Sequence, residues 1–123
     1  MSLQKASMAD SKGLVLGRHL IVDAWFDDTS VIDDKDIEKK LIDAAEIAGF
    51  TVLGSGSHKF EPQGVTSFVL LSESHISIHT WPEHKCATLD IFSCGGDPWV
   101  ALHYLKDKLK MKRMNVKYFE RGE

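Results

Sequence analysis

The chain has 123 residues, enough for one small domain with a single core. Its 15 Lys+Arg against 18 Asp+Glu give a net charge of −3, which lacks the basic excess of a phosphate-tracking nucleic-acid binder. No apolar run approaches the ~20 residues that span a bilayer, and residues 1–12 are too polar for a secretory signal.

Residues 1–12 carry no periodic pattern and read as a disordered tail ahead of one domain over 13–123. Leu14 to Phe26 starts apolar and continues through Leu20, Val22, Ala24 and Phe26, the pattern of a strand. Asp33 and Asp34 offer an N-cap to a helix whose stripe is Ile37, Leu41, Ala44, Ala45 and Ala48, with Gly49 as its stop. Phe50 to Leu53 reads as a short strand, extended toward Phe60 through a turn or bulge at Gly54–Ser57. That Gly-Ser-Gly-Ser run lacks the Lys-Ser/Thr ending of a phosphate loop.

Pro62-Gln63-Gly64 marks a turn before a strand at Val65–Leu71. Ile76 and Ile78 then alternate with His75, Ser77, His79 and Trp81, so one face of the next strand is apolar and the other is chemical. Pro82 ends it. Ala87, Leu89, Ile91 and Ser93 alternate in a further strand, and Gly95-Gly96-Asp97-Pro98 opens a helix running to about Lys110. Met114, Val116 and Tyr118 form the last strand. Order β-α-β-β-β-β-α-β, mostly joined by hairpins, predicts an α+β two-layer sandwich: an antiparallel sheet with two helices on one face.

Cys86 and Cys94 stand eight apart with no CxxC, which gives no sign of a disulfide scaffold or zinc ribbon. Free thiols in a reducing cytoplasm fit best. His75 and His79 would share a helical face and could chelate zinc there, but on a strand four residues span ~13 Å, too far for one ion. No metal is expected. Residues 1–73 carry 7 basic and 12 acidic side chains, and residues 74–123 carry 8 and 6. Chance variation explains that asymmetry, although opposite signs would also help two fragments stay together.

The most informative stretch is Ser72-Glu73-Ser74-His75-Ile76-Ser77-Ile78-His79-Thr80-Trp81-Pro82-Glu83. With Gly17-Arg18-His19-Leu20, His58-Lys59-Phe60, Gly64-Val65-Thr66, Cys94-Gly95 and Asp97-Pro98-Trp99, it closely resembles the bacterial S-adenosylmethionine decarboxylase proenzymes. The likeness runs from Gly17 to Arg121. It implies that the Glu73–Ser74 bond breaks itself, giving a β chain of residues 1–73 and an α chain of residues 74–123. Ser74 then becomes a pyruvoyl cofactor that forms a Schiff base with the substrate amine.

By the same resemblance, His79 is the base of the processing step, and Cys94 is the proton donor after CO₂ leaves. Thr66 stands where the family usually has a serine bonded to the reacting carbonyl, and it keeps the hydroxyl. Phe60 would stack on adenine and Glu83 would hold the ribose hydroxyls, with Trp81 nearby and aromatic faces suited to a sulfonium. His19, His58, His84 and His103 are given no catalytic role. The implied activity converts S-adenosylmethionine to its decarboxylated form for spermidine synthesis, in a homodimer of cleaved protomers. The alternatives are the same machinery acting on ornithine or arginine, and a regulatory homologue that never cleaves. Two places depart from the pattern: the Cys94–Asp97 connection is slightly short, and the chain ends soon after its last strand.

Overall fold

Strict alternation along four central strands decides the sheet, and a computed structural model describes it over residues 14–122. The tail expected over residues 1–12 lies outside the described residues. The elements are β1 (Val15–Phe26), a 3₁₀ turn (Ser30–Ile32), α1 (Ile37–Ile47), β2 (Val52–Lys59), β3 (Val65–Leu71), β4 (Ser74–Trp81), a second 3₁₀ turn (Pro82–His84), β5 (Cys86–Ser93), α2 (Pro98–Lys108) and β6 (Met111–Gly122). They form one six-stranded sheet in the order β2-β3-β4-β5-β1-β6. Every neighbouring pair is antiparallel. Both helices lie on one face and touch each other. The predicted two-layer α+β sandwich is the observed architecture.

Side chains alternate with the pleat, so Leu20, Val22, Ala24, Ile76, Ile78, Leu89 and Ile91 turn to the helices and are buried. Ile37, Leu41, Ala44 and Ala45 of α1 and Ala101, Leu102 and Leu105 of α2 close the core from above. Each large aliphatic side chain buried there contributes up to about 1.5–3 kcal/mol over leaving it in water. Among the described residues, the opposite face has no layer over it. Ile21, Phe68, Leu70 and Trp81 stand on it at 37–49% exposure, among His75, His79 and Asp90.

Three local expectations change. The N-cap of α1 is Asp36, without a side-chain capping bond, while Asp34 accepts from the Asp36 N–H and Asp33 points elsewhere. Gly54–Ser57 lies inside β2, with the bulge between Val52 and Gly54; a Cβ at Gly56 would sit 2.8 Å from the exposed Phe68 ring and displace it. Strand β6 is longer than Met114–Tyr118, because Met111–Gly122 pairs along almost all of β1.

Candidate active site

The β3–β4 hairpin turns in two residues, since Leu71 already faces Ser74. Glu73, at the second position of that turn, has φ 65. A residue with a Cβ in the left-handed region costs roughly 1–2 kcal/mol, so strain sits on the residue that supplies the carbonyl of the Glu73–Ser74 bond. That carbonyl is not free. The Cys94 thiol donates to the Glu73 oxygen at 2.8 Å. Ser74 is nearly buried on the helix side, and its Oγ has only a long 3.5 Å contact to the Ser72 carbonyl, which leaves the hydroxyl almost unengaged.

The loop that presents Cys94 is tied down on several sides. Arg18 Nη2 donates to the Gly96 carbonyl at 2.8 Å, the Asp97 N–H donates to Ala48 O at 3.1 Å, and the Ser93 hydroxyl donates to Gly95 O. Gly96 has φ +55, and a Cβ there would lie 2.7 Å from Ala48 O, so only glycine closes this loop. Asp97 then caps α2 by accepting the Trp99 N–H at 2.9 Å. Gly49, Phe50, Ser72, Glu73, Cys94 and Gly95 line the small cavity at this end of the sheet.

A second cleft opens at the other end of β4. It is lined by Phe60, Gln63, Gly64, Thr66, His79, Thr80, Trp81 and Glu83. Thr66 faces His79 across the β3–β4 ladder, and Thr66 Oγ1 lies 2.9 Å from His79 Nδ1. For His79 to act as a base through Nε2, its Nδ1–H must donate to Thr66. The Trp81 ring centroid is 6.4 Å from that of His79, and the Phe60 ring packs edge-on against His58 at 4.5 Å. Glu83 follows Pro82 in the 3₁₀ turn, exposed at the rim. No three His, Cys, Asp or Glu side chains converge as metal ligands among the described residues.

The two clusters do not meet within one chain. Five strand positions separate Ser74 from His79, about 17 Å, and the odd count puts their side chains on opposite faces. Glu73, Ser74 and Cys94 therefore form one half of the residue set, while Thr66, His79, Trp81, Glu83 and Phe60 form the other. The two cysteines also differ. Burial, with the Asp23 and Glu83 carboxylates nearby, pushes the Cys86 thiol up and keeps it neutral, whereas Cys94 is exposed. Sequence reasoning overlooked Gln63 and the Arg18 tie; Arg18 stood in a quoted motif without a role, and Gln63 carried no signal.

The site is thus a strained Glu73–Ser74 hairpin facing the Cys94 loop at one end of a two-layer α+β sandwich. The S-adenosylmethionine decarboxylase family model matches residues 18–122. The S-adenosylmethionine decarboxylase proenzyme of Thermotoga petrophila is 46% identical over 110 residues, 87% of this chain and 85% of that one. The proenzyme 2 of Bacillus cereus is 45% identical over 109 residues, 86% of this chain and 89% of that one. The crystal structure of the adenosylmethionine decarboxylase from Aquifex aeolicus superposes with a TM-score of 0.82 at 39% identity, covering 89% of this chain and 92% of that one. The chain belongs to the S-adenosylmethionine decarboxylase family.

Proposed function

We propose that this chain is the precursor of a pyruvoyl-dependent enzyme that converts S-adenosylmethionine to decarboxylated S-adenosylmethionine and CO₂, on the route to spermidine. The observation that carries the reading is the Cys94 thiol 2.8 Å from the carbonyl of a left-handed Glu73, next to a Ser74 hydroxyl held, among the described residues, only by a long 3.5 Å contact to Ser72 O. Ser74 Oγ adds to that carbonyl, the Cys94 S–H stabilises the oxyanion, and collapse moves the acyl group from nitrogen to oxygen. A base removes the α-proton of residue 74, Glu73 leaves as a carboxylate, and dehydroalanine remains. Water then releases ammonia and leaves the pyruvoyl group at the new N-terminus.

The residues present fit that group: a buried serine, a strained turn and a thiol within reach. Once formed, it supplies an electron sink for the bond to the departing carboxylate. Cys94, beside the same backbone, returns a proton after CO₂ leaves. Phe60 and Trp81 offer aromatic faces to the adenine and sulfonium, and Glu83 offers a carboxylate to the ribose hydroxyls.

With His79 as the base, its own chain's Ser74 is out of reach, about 17 Å away along β4. We assign the base to a second copy. A two-fold axis between stacked open faces, crossing β4, would place each Thr66–His79 end over the other chain's β3–β4 turn, where the imidazole would approach the Cα–H of residue 74 from the face opposite its side chain and complete two sites. Ile21, Phe68 and Leu70, exposed on that face, support the stacking. No described helix is long and apolar enough to cross a membrane. We place the enzyme in the cytoplasm, where Cys94 stays reduced.

The test offers S-adenosylmethionine, ornithine and arginine side by side and collects CO₂. S-adenosylmethionine should be preferred. A larger yield from either basic amino acid would leave the self-processing intact and overturn the substrate assignment.

A further inference from the structure

We propose that Asp33 is a positioning residue for nucleoside binding: it locks the β2–β3 loop that presents Phe60. Its place in the chain suggests only a helix cap, yet its carboxylate turns away from α1. Oδ1 accepts the Gly64 N–H at 2.7 Å and pairs with Lys59 Nζ at 3.1 Å. Lys59 is the last residue of β2, and Gly64 immediately precedes β3. One side chain from outside the hairpin thus holds both ends of its loop, across 31 residues of sequence on the Gly64 side.

The loop needs such an anchor. Phe60 is 46% exposed and has no seat in the core; its ring packs edge-on against His58. Its backbone is fixed by the Phe60 N–H donating to Gly64 O at 2.8 Å, and Lys59 Nζ also reaches the Phe60 carbonyl at 3.2 Å. Both partners of Phe60 are therefore partners of Asp33. Gly64, at φ +104, is itself held in a conformation that other residues resist, and the Gly64 bond is the main reason the Asp33 carboxyl is held below the usual carboxylate range. Phe60, Gln63 and Gly64 form one wall of the cleft that Thr66, His79 and Glu83 complete. Asp33 does not line that cleft, so its influence passes through the wall. Small displacements of a binding group carry large kinetic penalties.

This inference rests on the nucleoside reading of that cleft, and the experiment separates the two. In wild-type enzyme, CO₂ release from S-adenosylmethionine and calorimetric binding of methylthioadenosine, which carries the nucleoside without the carboxylate, test the reading itself. In Asp33→Ala, KM for S-adenosylmethionine and Kd for methylthioadenosine should rise about tenfold, with kcat within about twofold and self-cleavage complete. In Asp33→Asn, which keeps an acceptor for Gly64 but loses the charge, both should rise about threefold. Lys59→Met should behave similarly, and both report even if the alanine variant misfolds. In a Phe60→Ala background, Asp33→Ala should add less than about twofold, because the loss is already taken. A wild type that neither decarboxylates S-adenosylmethionine nor binds methylthioadenosine would overturn both the reading and this role. With an active wild type, unchanged KM and Kd in the variants, equal falls in kcat and kcat/KM, or full additivity with Phe60→Ala would overturn the role of Asp33 alone.

Discussion

Replacing Cys94 separates the two tasks the structure gives its thiol. The Sγ-to-Glu73 O contact of 2.8 Å is the one side-chain donor on that carbonyl among the described residues. Losing a donor to a developing oxyanion typically slows a reaction by roughly 10²–10³, or about 2.7–4 kcal/mol. A thiol is a weak donor and Cys94 is exposed, so the effect falls at or below the lower end of that range. Cys94→Ala should therefore slow self-cleavage about ten- to a hundredfold, or about 1.4–2.7 kcal/mol. Cys94→Ser supplies a stronger donor with a shorter reach, and its hydroxyl is a far poorer acid than a thiol. It should cleave faster than the alanine variant yet turn over S-adenosylmethionine poorly after cleavage. Gel densitometry of the two fragments over time measures the first effect, and CO₂ release per cleaved chain measures the second. If alanine and serine variants cleave at the wild-type rate, the contact with Glu73 has no part in processing.

Mixing mutants tests where the base comes from. Ser74→Ala and His79→Ala chains should each remain uncut alone, the latter stalled as an ester that hydroxylamine splits; co-expressed, the His79→Ala chain should be cut. Failure of the mixture to cleave would remove the second copy from the processing step. Glu83→Gln should leave cleavage untouched and lower kcat/KM about ten- to a hundredfold, since a bond to a charged group is worth roughly 1.5–3 kcal/mol; an unchanged kcat/KM would free Glu83 from the ribose. A pH effect follows from Asp33. Its carboxyl titrates below the usual range, first through the Gly64 N–H and then through Lys59, so its stabilisation is full above the unfolded aspartate value and is lost as pH falls through the folded one. In uncut Ser74→Ala protein, the Tm advantage of the chain that keeps Asp33 over one that also carries Asp33→Asn should hold at neutral pH and shrink as pH falls below about 4. A gap that persists undiminished in acid would assign the stabilisation to something other than the charge.

The strands were legible wherever one face is buried. Ile76 and Ile78 against His75 and His79 leave no choice of period, and the stripe from Ile37 to Ala48 leaves none for α1. Strand β6 was underestimated because it is an edge: Lys112, Arg113, Lys117, Glu120 and Arg121 keep it polar on both faces, so no alternation betrays its length. Gly54–Ser57 looked like an interruption because glycine is a poor strand former, yet the strand runs through it and the Phe68 ring lies over Gly56. At the site, the positions came from a resemblance that local pattern could not have supplied. Their division into two clusters was present in the spacing, since Ser74 and His79 differ by an odd number on one strand. The Asp33–Gly64 bond had no local signature at all, being a contact that only the folded chain creates.

Intact-mass spectrometry of purified wild-type protein bears most directly on whether this chain makes its own cofactor. It should find fragments of residues 1–73 and 74–123, the second lacking a free amine and carrying the mass of a pyruvoyl group in place of Ser74. Ser74→Ala should give a single uncut mass. A wild-type chain that stays whole after long incubation, yet still releases CO₂ from S-adenosylmethionine, would contradict the self-made electrophile outright.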